Sequence, residues 1–457
     1  MGARGLKHLR PSLKARIIPR LSQAIWPFCC LDFGPSPGLP SPFFAMNPKY
    51  VLRLESSALT LYRRGCVPSA IFEGPNPFVF LDTFRAQYAS GLLGVGYLGY
   101  PLRRYTERVG PLKPFSAPFS ELFFAFFDHF FCLEAEGPSL EPLSIEGERL
   151  GQSSLPRLLE ALDSLNGSSE RAGLNPDKVF SGTKKASYLR GVQEILKRIR
   201  KGDVYQVNLS LELFAQNVNP EALFGAMTRS YPMPYQAFLR LDPLKSVLVN
   251  SPELFLEITP DRQILTAPIK GSMQRSDTAH QDASFADALQ ASPKDRAEHL
   301  MIVDLMRNDL GRVCSIGSIR VQNLFGHRPF PGIHHLETKV SGELPKRLGL
   351  FEAIGKAFPG GSITGAPKIM AMRIIEELEP TERSVYTGAL GWVFRDHVRL
   401  AMAIRTALCF EGTAMYPVGG GIVADSDPEA EWDETQTKAK PFLQALGFGG
   451  DVGLDLA

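Results

Sequence analysis

The segment TAPIKGS (residues 266–272) places a lysine where an ordinary surface lysine is not expected. Lys270 follows Pro-Ile, where a strand would carry its side chain inward, and it precedes Gly271, which lets a ligand or another backbone come close. Burial disfavours the charged form of an amine and lowers its pKa, and a neutral amine can act as a nucleophile. Lys270 is therefore a candidate catalytic nucleophile.

Carboxylates share one face of the last predicted helix. The segment SDPEAEWDE (residues 426–434) has the signature of a helix N-terminus, and Glu431, Glu434 and Lys438 then follow at i, i+3 and i+7. A solvated charged face is the usual explanation of such spacing. The alternative is a Mg²⁺ site, because Mg²⁺ prefers carboxylate and water oxygens. Glu298, on a second predicted helix, is a candidate for the further carboxylate.

Two glycine-rich segments have the composition of ligand-binding loops. GGSITGAPK (residues 360–368) precedes a predicted helix and offers backbone N–H groups to an anion. Its lysine is misplaced for a nucleotide P-loop, and a simple helix-start loop is an equal alternative. Gly419, Gly420 and Gly421 also allow N–H groups to point at a ligand. Arg405 alternates into a buried position of AMAIRTAL, so it needs a carboxylate partner from the protein or from a ligand.

Two other patterns favour structural explanations. GVGYLG (residues 94–99) matches G-x-G-x-x-G, but Tyr-Pro follows where the nucleotide-binding motif needs a helix. This segment is predicted to be a strand packed closely against a neighbour. In the pair His334 and His335 one ring must point inward from a strand, and a hydrogen-bonded structural histidine is the commoner outcome.

The elements that must position these residues are a mixture of strands and helices. Of the 457 residues, 44% are hydrophobic and 21% charged, which is ordinary for a globular enzyme. The mixture predicts an α+β fold with large antiparallel β-sheets rather than regular βαβ units. Helices are predicted over 187–201, 295–307 and 428–446, and strands over 204–209, 247–250, 254–258, 391–394 and 400–406.

Bulk properties argue against several classes of partner. The net charge of +2 favours neither nucleic acid nor a membrane surface as the main partner. The six cysteines form no C-x-x-C pair, so a zinc site or a disulfide framework is not expected and a reducing cytoplasm fits. The most apolar segment, LFFAFFDHFFCL (residues 122–133), is too short to span a bilayer and is predicted to be a buried strand.

The first 45 residues differ from the rest. They are basic, with no acidic residue before Asp32, and they contain the linker-like segment GPSPGLPSP. We expect residues 1–45 to be a disordered extension or the product of a start assigned upstream of Met46, since strand patterns begin directly after it. A transit peptide or a basic arm is the alternative. Residues 46–165 and 178–450 are predicted to be an N-terminal region and a catalytic domain.

In order and spacing, many segments resemble the chorismate-utilising enzymes, the family of the anthranilate synthase and aminodeoxychorismate synthase large subunits. The resemblance is strong over residues 180–447 and weaker over 50–165. It implies a sandwich of large antiparallel sheets with helices outside, and an anthranilate-synthase-like N-terminal region. The segments are GDVYQVNLS, SPELF, PIKGS, KDRAEHLMIVDLMRNDLGRVC, GIHHLET, FPGGSITGAPKIMAMRIIEELEP, TGALGW, IRTA and GGGIVADSDPEAEWDET.

The lysine discriminates within this family. PIKG resembles the aminodeoxychorismate synthase branch, whereas anthranilate synthases typically carry PIAG. The resemblance implies that Lys270 attacks C2 of chorismate, that Glu253 protonates the departing C4 hydroxyl, and that ammonia then gives 4-amino-4-deoxychorismate for 4-aminobenzoate and folate synthesis. Two positions depart from the family pattern: Ser272 replaces the usual threonine, and Leu254 replaces an arginine.

The resemblance also implies binding roles for the remaining motif residues. Mg²⁺ would be held through Glu298 and Glu431, with Glu434 in support. The enolpyruvyl carboxylate would be bound by Arg405 and the N–H groups of Gly419, Gly420 and Gly421, with Lys438 nearby. The pocket would be lined by Ser272, His335, Ser362, Thr364 and Gly365.

The implied partners are small molecules and one protein. No cysteine sits in a glycine-flanked elbow suited to a glutaminase, so the resemblance implies ammonia from a separate glutamine amidotransferase subunit in a heterodimer. No fused lyase follows the last predicted helix, so a further enzyme is expected to release pyruvate. LRLESS (residues 52–57) resembles a segment that holds tryptophan in this family.

Three alternatives remain open at this point. The first alternative is the activity of anthranilate synthase, in which ammonia attacks C2 directly. It could be a non-catalytic regulatory subunit that only binds tryptophan. A third alternative is nucleic-acid binding through the basic N-terminal arm, which would depend strongly on salt.

Overall fold

The structure is a computed structural model that describes residues 27–34, 39, 41–72, 76–110, 113, 118–132, 142–144 and 176–448. Residues 1–26 of the predicted extension, and residues 166–175 between the two predicted regions, lie outside this part of the chain. The described residues form eight α-helices: α1 (Pro77–Phe84), α2 (Lys185–Arg200), α3 (Pro220–Ser230), α4 (Ala279–Ala291), α5 (Pro293–Gly311), α6 (Leu350–Ala357), α7 (Lys368–Leu378) and α8 (Pro428–Ala445).

Local sequence explains where several helices begin. Asn219, Ser292 and Asp427 each accept a hydrogen bond from a backbone N–H group of the first turn, in α3, α5 and α8 respectively. A proline occupies the first helical position in all three, where its missing N–H costs nothing and its fixed φ favours the helix. The predicted helices over 187–201, 295–307 and 428–446 are confirmed as α2, α5 and α8.

The strands are mostly short and apolar. In chain order they are β1 (Phe28–Asp32), β2 (Phe43–Met46), β3 (Tyr50–Glu55), β4 (Ala58–Arg63), β5 (Ser69–Phe72), β6 (Leu93–Leu98), β7 (Leu122–Phe127), β8 (His129–Cys132), β9 (Pro142–Ser144), β10 (Val179–Ser181), β11 (Gln206–Gln216), β12 (Tyr235–Asp242), β13 (Lys245–Ser251), β14 (Leu254–Ile258), β15 (Gln263–Ala267), β16 (Ile269–Gln274), β17 (Arg320–Phe330), β18 (Ile333–Glu343), β19 (Gly365–Ala366), β20 (Ala389–Phe394), β21 (His397–Met402), β22 (Thr406–Phe410) and β23 (Thr413–Ile422).

These strands build two antiparallel sheets. The first has eleven strands in the order β10-β11-β23-β22-β13-β12-β1-β2-β8-β9, with β19 beside β11. The second has twelve strands in the order β16-β18-β15-β14-β21-β20-β6-β7-β3-β4-β5, with β17 beside β18. Strands from both predicted regions therefore belong to both sheets, and the expected boundary between the regions does not divide the hydrophobic core.

β7 shows how the two sheets pack. Its residues alternate between two cores, with Phe124 and Phe126 facing helices and Phe123 and Phe127 facing the other sheet. Successive side chains of a strand point to opposite faces, so a strand buried on both faces reads as one continuous apolar run. This explains LFFAFF as a buried strand, and GVGYLG is likewise the buried strand β6.

Three hydrophobic cores hold the layers together. One lies between the sheets, one lies under α2, α3, α7 and α8 on the first sheet, and one lies under α1, α5 and α6 on the second. The predicted α+β sandwich with helices outside is confirmed. No helix of the described segments is both long enough and apolar enough to cross a membrane.

The prediction that residues 1–45 lie outside the fold is wrong for β1 and β2. β1 pairs with β12 from Phe28↔Arg240 to Asp32↔Gln236, and β2 joins β1 to β8. Leu31 and Phe44 are completely buried. The two apolar runs are too short, and too close to prolines and glycines, for their alternation to stand out in the sequence.

Candidate active site

Two connections carry the chain from one sheet to the other, side by side. Glu253 lies between β13 of the first sheet and β14 of the second, and Arg405 lies between β21 of the second and β22 of the first. Met402 N donates to Glu253 O at 3.0 Å, and Asn250 N donates to Arg405 O at 3.2 Å. The predicted continuous strand over 400–406 is therefore wrong, because Arg405 has a left-handed φ of 51° and breaks it.

Lys270 reaches this place from β16. Its Nζ lies 3.0 Å from the position that a Cβ atom of Gly421 would occupy on β23, so an amine of the second sheet meets a glycine of the first. Desolvation lowers the pKa of Lys270, with the positive charge of Lys438 acting in the same direction, while the negative charges of Glu298, Glu434 and Glu253 oppose it. The position and the direction of the shift fit the predicted nucleophile.

Glu253 is a buried acid beside this amine. Only 5% of its surface is exposed, and Ser362 Oγ donates to its Oε1 at 2.6 Å. Burial raises the pKa of Glu253 to about 7, although the Ser362 hydrogen bond and the charge of Lys270 lower it. A carboxyl group with that pKa holds a proton at neutral pH for a useful fraction of the time, as a general acid must.

The predicted metal ligands come from α5 and α8. Ser426 Oγ donates to Glu431 Oε1, and Oε2 of the same carboxylate lies 3.1 Å from the Cβ position of Gly420. Burial, and then the charge of Glu434, raises the pKa of Glu431. Glu434 is exposed and pairs with Lys438, whose Nζ lies 2.6 Å from Glu434 Oε1. The negative charge of Glu298 lies close enough to Lys270 to raise the pKa of that lysine.

The residue types of Glu298, Glu431 and Glu434 suit Mg²⁺, but the three carboxylates are not gathered around one point. Carboxylate oxygens are the ligands that Mg²⁺ prefers, and a cation would relieve the repulsion between Glu431 and Glu434. In the described part of the chain, however, no three His, Cys, Asp or Glu side chains are gathered closely enough to hold a metal ion. The solvated-face interpretation holds for Glu434 as it stands, and Mg²⁺ binding remains a prediction.

Basic groups lie directly beside these carboxylates, since Lys438 pairs with Glu434. Arg405 Nη1 donates to Lys438 O at 2.6 Å, and Lys438 Nζ donates to Gly419 O at 3.1 Å. β22 pairs with β23 only as far as Leu408↔Met415, so the later part of β23 is paired on one side only, with β11. N–H and C=O groups of one residue point to the same side of a strand. The N–H groups of Gly419 and Gly421 therefore face the open side, whereas that of Gly420 faces β11.

His335 and Ser272 stand together on the neighbouring strands β18 and β16. His335 Nδ1 lies 2.9 Å from Gly271 O and 3.1 Å from Ser272 Oγ. Burial lowers the pKa of His335 to about 4, so the ring is neutral near pH 7. The carbonyl oxygen can only accept, which places a proton on Nδ1 and leaves Nε2 as an acceptor.

Two predicted pocket residues also have structural contacts. Thr364 is completely buried, and its hydroxyl donates to Gly360 O at 3.0 Å within its own turn, while its contact with substrate stays a prediction. A Cβ atom at Gly365 would lie 2.1 Å from Gln206 O, and its φ is 141°. Glycine is needed there because β19 lies directly against β11, and a role of Gly365 in lining the substrate pocket stays a prediction.

Three polar residues were missed by the sequence analysis. Gln206 Nε2 and Asn208 Oδ1 lie 3.0 and 3.1 Å from the Cβ position of Gly421, and Asp295 Oδ1 lies 3.1 Å from that of Gly271. Gln206 is completely buried, and neither of its amide atoms has a hydrogen-bond partner in the described residues. The signal was present as alternation within YQVN and as the i, i+3 spacing of Asp295 and Glu298.

Comparison with known proteins agrees with this site. The pattern of the chorismate binding enzyme family matches residues 40–444, and the chain belongs to that family. It is 33% identical to anthranilate synthase component 1 of Methanothermobacter thermautotrophicus over 417 residues, which is 90% of this chain and 86% of that protein. The crystal structure of anthranilate synthase component I from Streptococcus pneumoniae matches with a TM-score of 0.75 and 27% identity, covering 90% of this chain and 93% of that one.

A second group of relatives is more similar over a shorter stretch. The chain is 44% identical to aminodeoxychorismate synthase component 1 of Klebsiella aerogenes over 256 residues. That match spans 56% of each protein, so the chain aligns with little more than half the length of this relative. The chain is a chorismate-utilising enzyme by family, and its relatives divide between two reactions.

Proposed function

We propose that this protein is the chorismate-aminating component of an aminodeoxychorismate synthase, which converts chorismate and ammonia to 4-amino-4-deoxychorismate and water. The observation that carries the proposal is the position of Lys270, whose amine faces Gly421 within a charged pocket. The identity of 44% to relatives named aminodeoxychorismate synthase component 1, over 256 and 259 residues, supports it.

The lysine accounts for amination at C4 rather than at C2. Lys270 Nζ forms a bond to C2 of chorismate, the ring double bonds shift, and the C4–O bond breaks. Ammonia then attacks C4, the double bonds shift back, and the bond from Nζ to C2 breaks. The lysine must lose a proton before it attacks, and its lowered pKa makes the neutral amine more available.

Glu253 supplies the proton that the leaving hydroxyl needs. Its carboxyl group is held by Ser362 in a site with little water, and its pKa of about 7 keeps the proton within reach at neutral pH. Departure as water rather than hydroxide lowers the barrier, and positioned general acids typically contribute about 10²–10⁴-fold in rate.

The carboxylates of the substrate define the rest of the pocket. Arg405, Lys438 and the N–H groups of Gly419 and Gly421 would hold the enolpyruvyl carboxylate. Glu298 and Glu431, with Glu434 in support, would hold Mg²⁺. When bound, the cation would neutralise charge at the ring carboxylate, and it would add to the positive charge that Lys438, Lys270 and Lys294 already place near Glu434.

The ammonia source is proposed to be a separate glutamine-hydrolysing subunit. The relatives are named as component 1 of their synthases. We infer that this chain pairs with such a subunit in a heterodimer, or uses free ammonium in its absence.

Anthranilate synthase is the second candidate, favoured by one observation. Relatives with that name match 77–90% of this chain at 33–36% identity, a wider span than the 56% covered by the first aminodeoxychorismate synthase relatives. One relative named aminodeoxychorismate synthase also matches 77% of this chain, at 34% identity. In that reaction ammonia would attack C2 directly, and Lys270 would have no covalent role.

Product identification separates the two candidates. Purified protein is incubated with chorismate, Mg²⁺ and ammonium, and the products are separated and identified by mass and fluorescence. We expect 4-amino-4-deoxychorismate from the wild type, and strongly reduced formation of it from Lys270→Ala. Anthranilate as the sole wild-type product would refute the proposal.

Trapping the intermediate tests the covalent step itself. Incubating the enzyme with chorismate and Mg²⁺ but without ammonium stops the proposed reaction after the first step, so denaturation and peptide mass analysis should reveal an adduct on the peptide that contains Lys270. The same peptide from Glu253→Gln should carry less adduct, because the hydroxyl leaves poorly. If the enzyme is fully active with ammonium but its lysine peptide stays unmodified in the experiment without ammonium, the nucleophilic role is excluded.

A further inference from the structure

We propose that Asn208 and Arg383 are positioning residues for Glu253, acting through Ser362, so that Ser362 orients the acid and does not bind the substrate. The inference rests on the proposed role of Glu253 as the general acid. It concerns how the protein selects which oxygen of that carboxyl group presents the proton.

The contact between Ser362 and Glu253 is short and dry. Ser362 Oγ donates to Glu253 Oε1 at 2.6 Å, and the exposed fractions are 8% for Ser362 and 5% for Glu253. Within the described chain, Glu253 Oε2 makes no hydrogen bond. An oxygen that accepts from a hydroxyl is the less favourable site for the proton, so Oε2 carries it. Ser362 thereby leaves Oε2 free to face the substrate.

Asn208 holds the turn that presents Ser362. Its Nδ2 donates to Ser362 O at 2.9 Å, and its backbone N donates to Thr364 O at 2.9 Å. One residue of β11 therefore binds two carbonyl groups of the turn, one on each side of Ile363. The backbone of Ser362 therefore cannot move away from Glu253 without breaking these bonds.

Arg383 forms hydrogen bonds to both β11 and the turn that contains Ser362. Its Nη2 donates to Asn208 O and its Nη1 to Ile363 O, both at 2.9 Å. Glu379 holds the guanidinium through two bonds, Nε to Oε2 at 2.8 Å and Nη2 to Oε1 at 2.7 Å. Both side chains are 4% exposed. A planar guanidinium held by a bidentate carboxylate has a fixed orientation, so it fixes β11 relative to the turn.

This arrangement predicts a titration effect that simple packing would not produce. The hydrogen bond from Ser362 lowers the pKa of Glu253 against the larger effect of burial. Removing the Ser362 hydroxyl must therefore raise that pKa. Removing the Asn208 amide, which leaves the hydroxyl without a fixed position, must raise it as well. A Ser362 that merely contacts chorismate would change substrate affinity and leave the titration of Glu253 as it was.

The test is a direct titration of the Glu253 carboxyl group in the enzyme without substrate. Protein labelled with ¹³C at the glutamate carboxyl is titrated by infrared or NMR spectroscopy, and Glu253→Gln identifies the signal. A hydrogen bond to a charged group contributes about 1.5–3 kcal/mol, so Ser362→Ala should raise the midpoint by about 1–2 pH units. Ser362→Thr keeps the hydroxyl and should restore most of the shift, and Asn208→Ala should shift the midpoint upward as well.

A matched control comes from Ser246. It is a completely buried serine on β13 whose hydroxyl has no hydrogen-bond partner among the described residues. Ser246→Ala should leave the Glu253 midpoint unchanged, which separates the loss of one hydrogen bond from the loss of any buried hydroxyl.

The readouts distinguish failure of this inference from failure of the proposed function. An unmoved midpoint in Ser362→Ala, together with a raised KM for chorismate, would make Ser362 a substrate ligand and overturn the inference. An unmoved midpoint in Asn208→Ala alone would remove Asn208 and Arg383 from it. The titration needs no turnover, so it decides the question whichever product the wild type forms.

Discussion

The amine of Lys270 lies 3.0 Å from the point where a side chain on Gly421 would begin. The two residues belong to different sheets, β16 in the second and β23 in the first. Gln206 Nε2 and Asn208 Oδ1 lie at 3.0 and 3.1 Å from the same point. Because Gly421 has no side chain, the amine of Lys270 and the amide groups of Gln206 and Asn208 all end around the same small space.

Gly421→Ala should reduce activity while the protein stays folded. The new methyl group would meet only the ends of flexible side chains at 3.0–3.1 Å, which can give way by a few tenths of an ångström. The lysine would be displaced by this smaller amount, whereas a displacement of about 1 Å at a reacting group can reduce the rate about 10²-fold. We therefore expect a loss of about 10-fold in kcat/KM for chorismate, measured with saturating ammonium.

The control for this substitution is Gly311→Ala. Gly311 is the last residue of α5, and a Cβ atom there would meet only Ile319 Cδ1 at an ordinary 3.7 Å. Its activity and melting temperature should remain those of the wild type. If Gly421→Ala retained wild-type activity, the close approach of Lys270 would have no catalytic meaning.

The pH dependence of the turnover rate should show an inflection that belongs to Glu253. Turnover needs Lys270 neutral and Glu253 protonated, so the rate rises with pH as the lysine loses its proton and falls at alkaline pH as the acid loses its own. One of the two inflections should lie near the Glu253 pKa of about 7. Because the pKa of Lys270 is lowered, the lysine inflection should lie below the usual range for an amine.

Glu253→Gln tests this assignment. The variant should be about 10²–10⁴-fold slower, and its residual rate should rise with pH and then level off, without the alkaline fall. A stopped-flow or fixed-time assay of chorismate consumption across pH 5–10 would measure both profiles. An unchanged alkaline fall in the variant would mean that another group loses the critical proton.

Mg²⁺ affinity should depend on Glu431. Replacing the carboxylate by an amide in Glu431→Gln removes a charged oxygen ligand, and we expect the Mg²⁺ dissociation constant to rise by at least 10- to 100-fold, the loss that even an outer partner of a metal site typically causes. Isothermal titration calorimetry with MgCl₂ measures this without turnover. Glu429→Gln is the matched control, because Glu429 lies on the same helix, is exposed and pairs with Lys185. Equal affinity in both variants would move the cation away from α8.

The buried pair of Arg383 and Glu379 should be a stability determinant. Breaking a buried ion pair by removing one partner leaves an uncompensated charge and typically costs about 3–5 kcal/mol. Glu379→Gln should reduce the free energy of unfolding by about that amount in urea denaturation. The exposed pair of Glu194 and Arg198 on α2 provides the contrast, and Glu194→Gln should give no measurable change. Equal stability of the two variants would contradict the argument.

Sequence patterns predicted α2, α5, α7 and α8 and most of the central strands because these elements follow local rules. The residues Asp427 and Pro428 predict the start of helix α8, and β14 coincides with the predicted strand over 254–258. The break at Arg405 could not be predicted in this way, since it results from a change of sheet between β21 and β22. Likewise, the short strand β1 is recognisable only through its partner β12.

The candidate site shows the same division. Lys270, Glu253, Glu298, Glu431 and Arg405 were identified by type and motif, and the structure brings them to one region where the two sheets meet. Contacts such as the bond from Thr364 to Gly360 O depend on how a turn folds back on itself. Gln206 and Asn208 were missed because uncharged amides carry little signal until their neighbours are known.

The pairing of β1 with β12 has a consequence for the integrity of the fold in solution. β1 satisfies the outward-facing N–H and C=O groups of β12, an apolar strand in which Ala237, Phe238 and Leu239 are buried. A chain cut back to Met46 would expose that row of groups, which is a template for pairing with another copy. The N-terminal strands therefore guard the enzyme against self-association, although they lie far along the sheet from the strands that hold the glycines of the site.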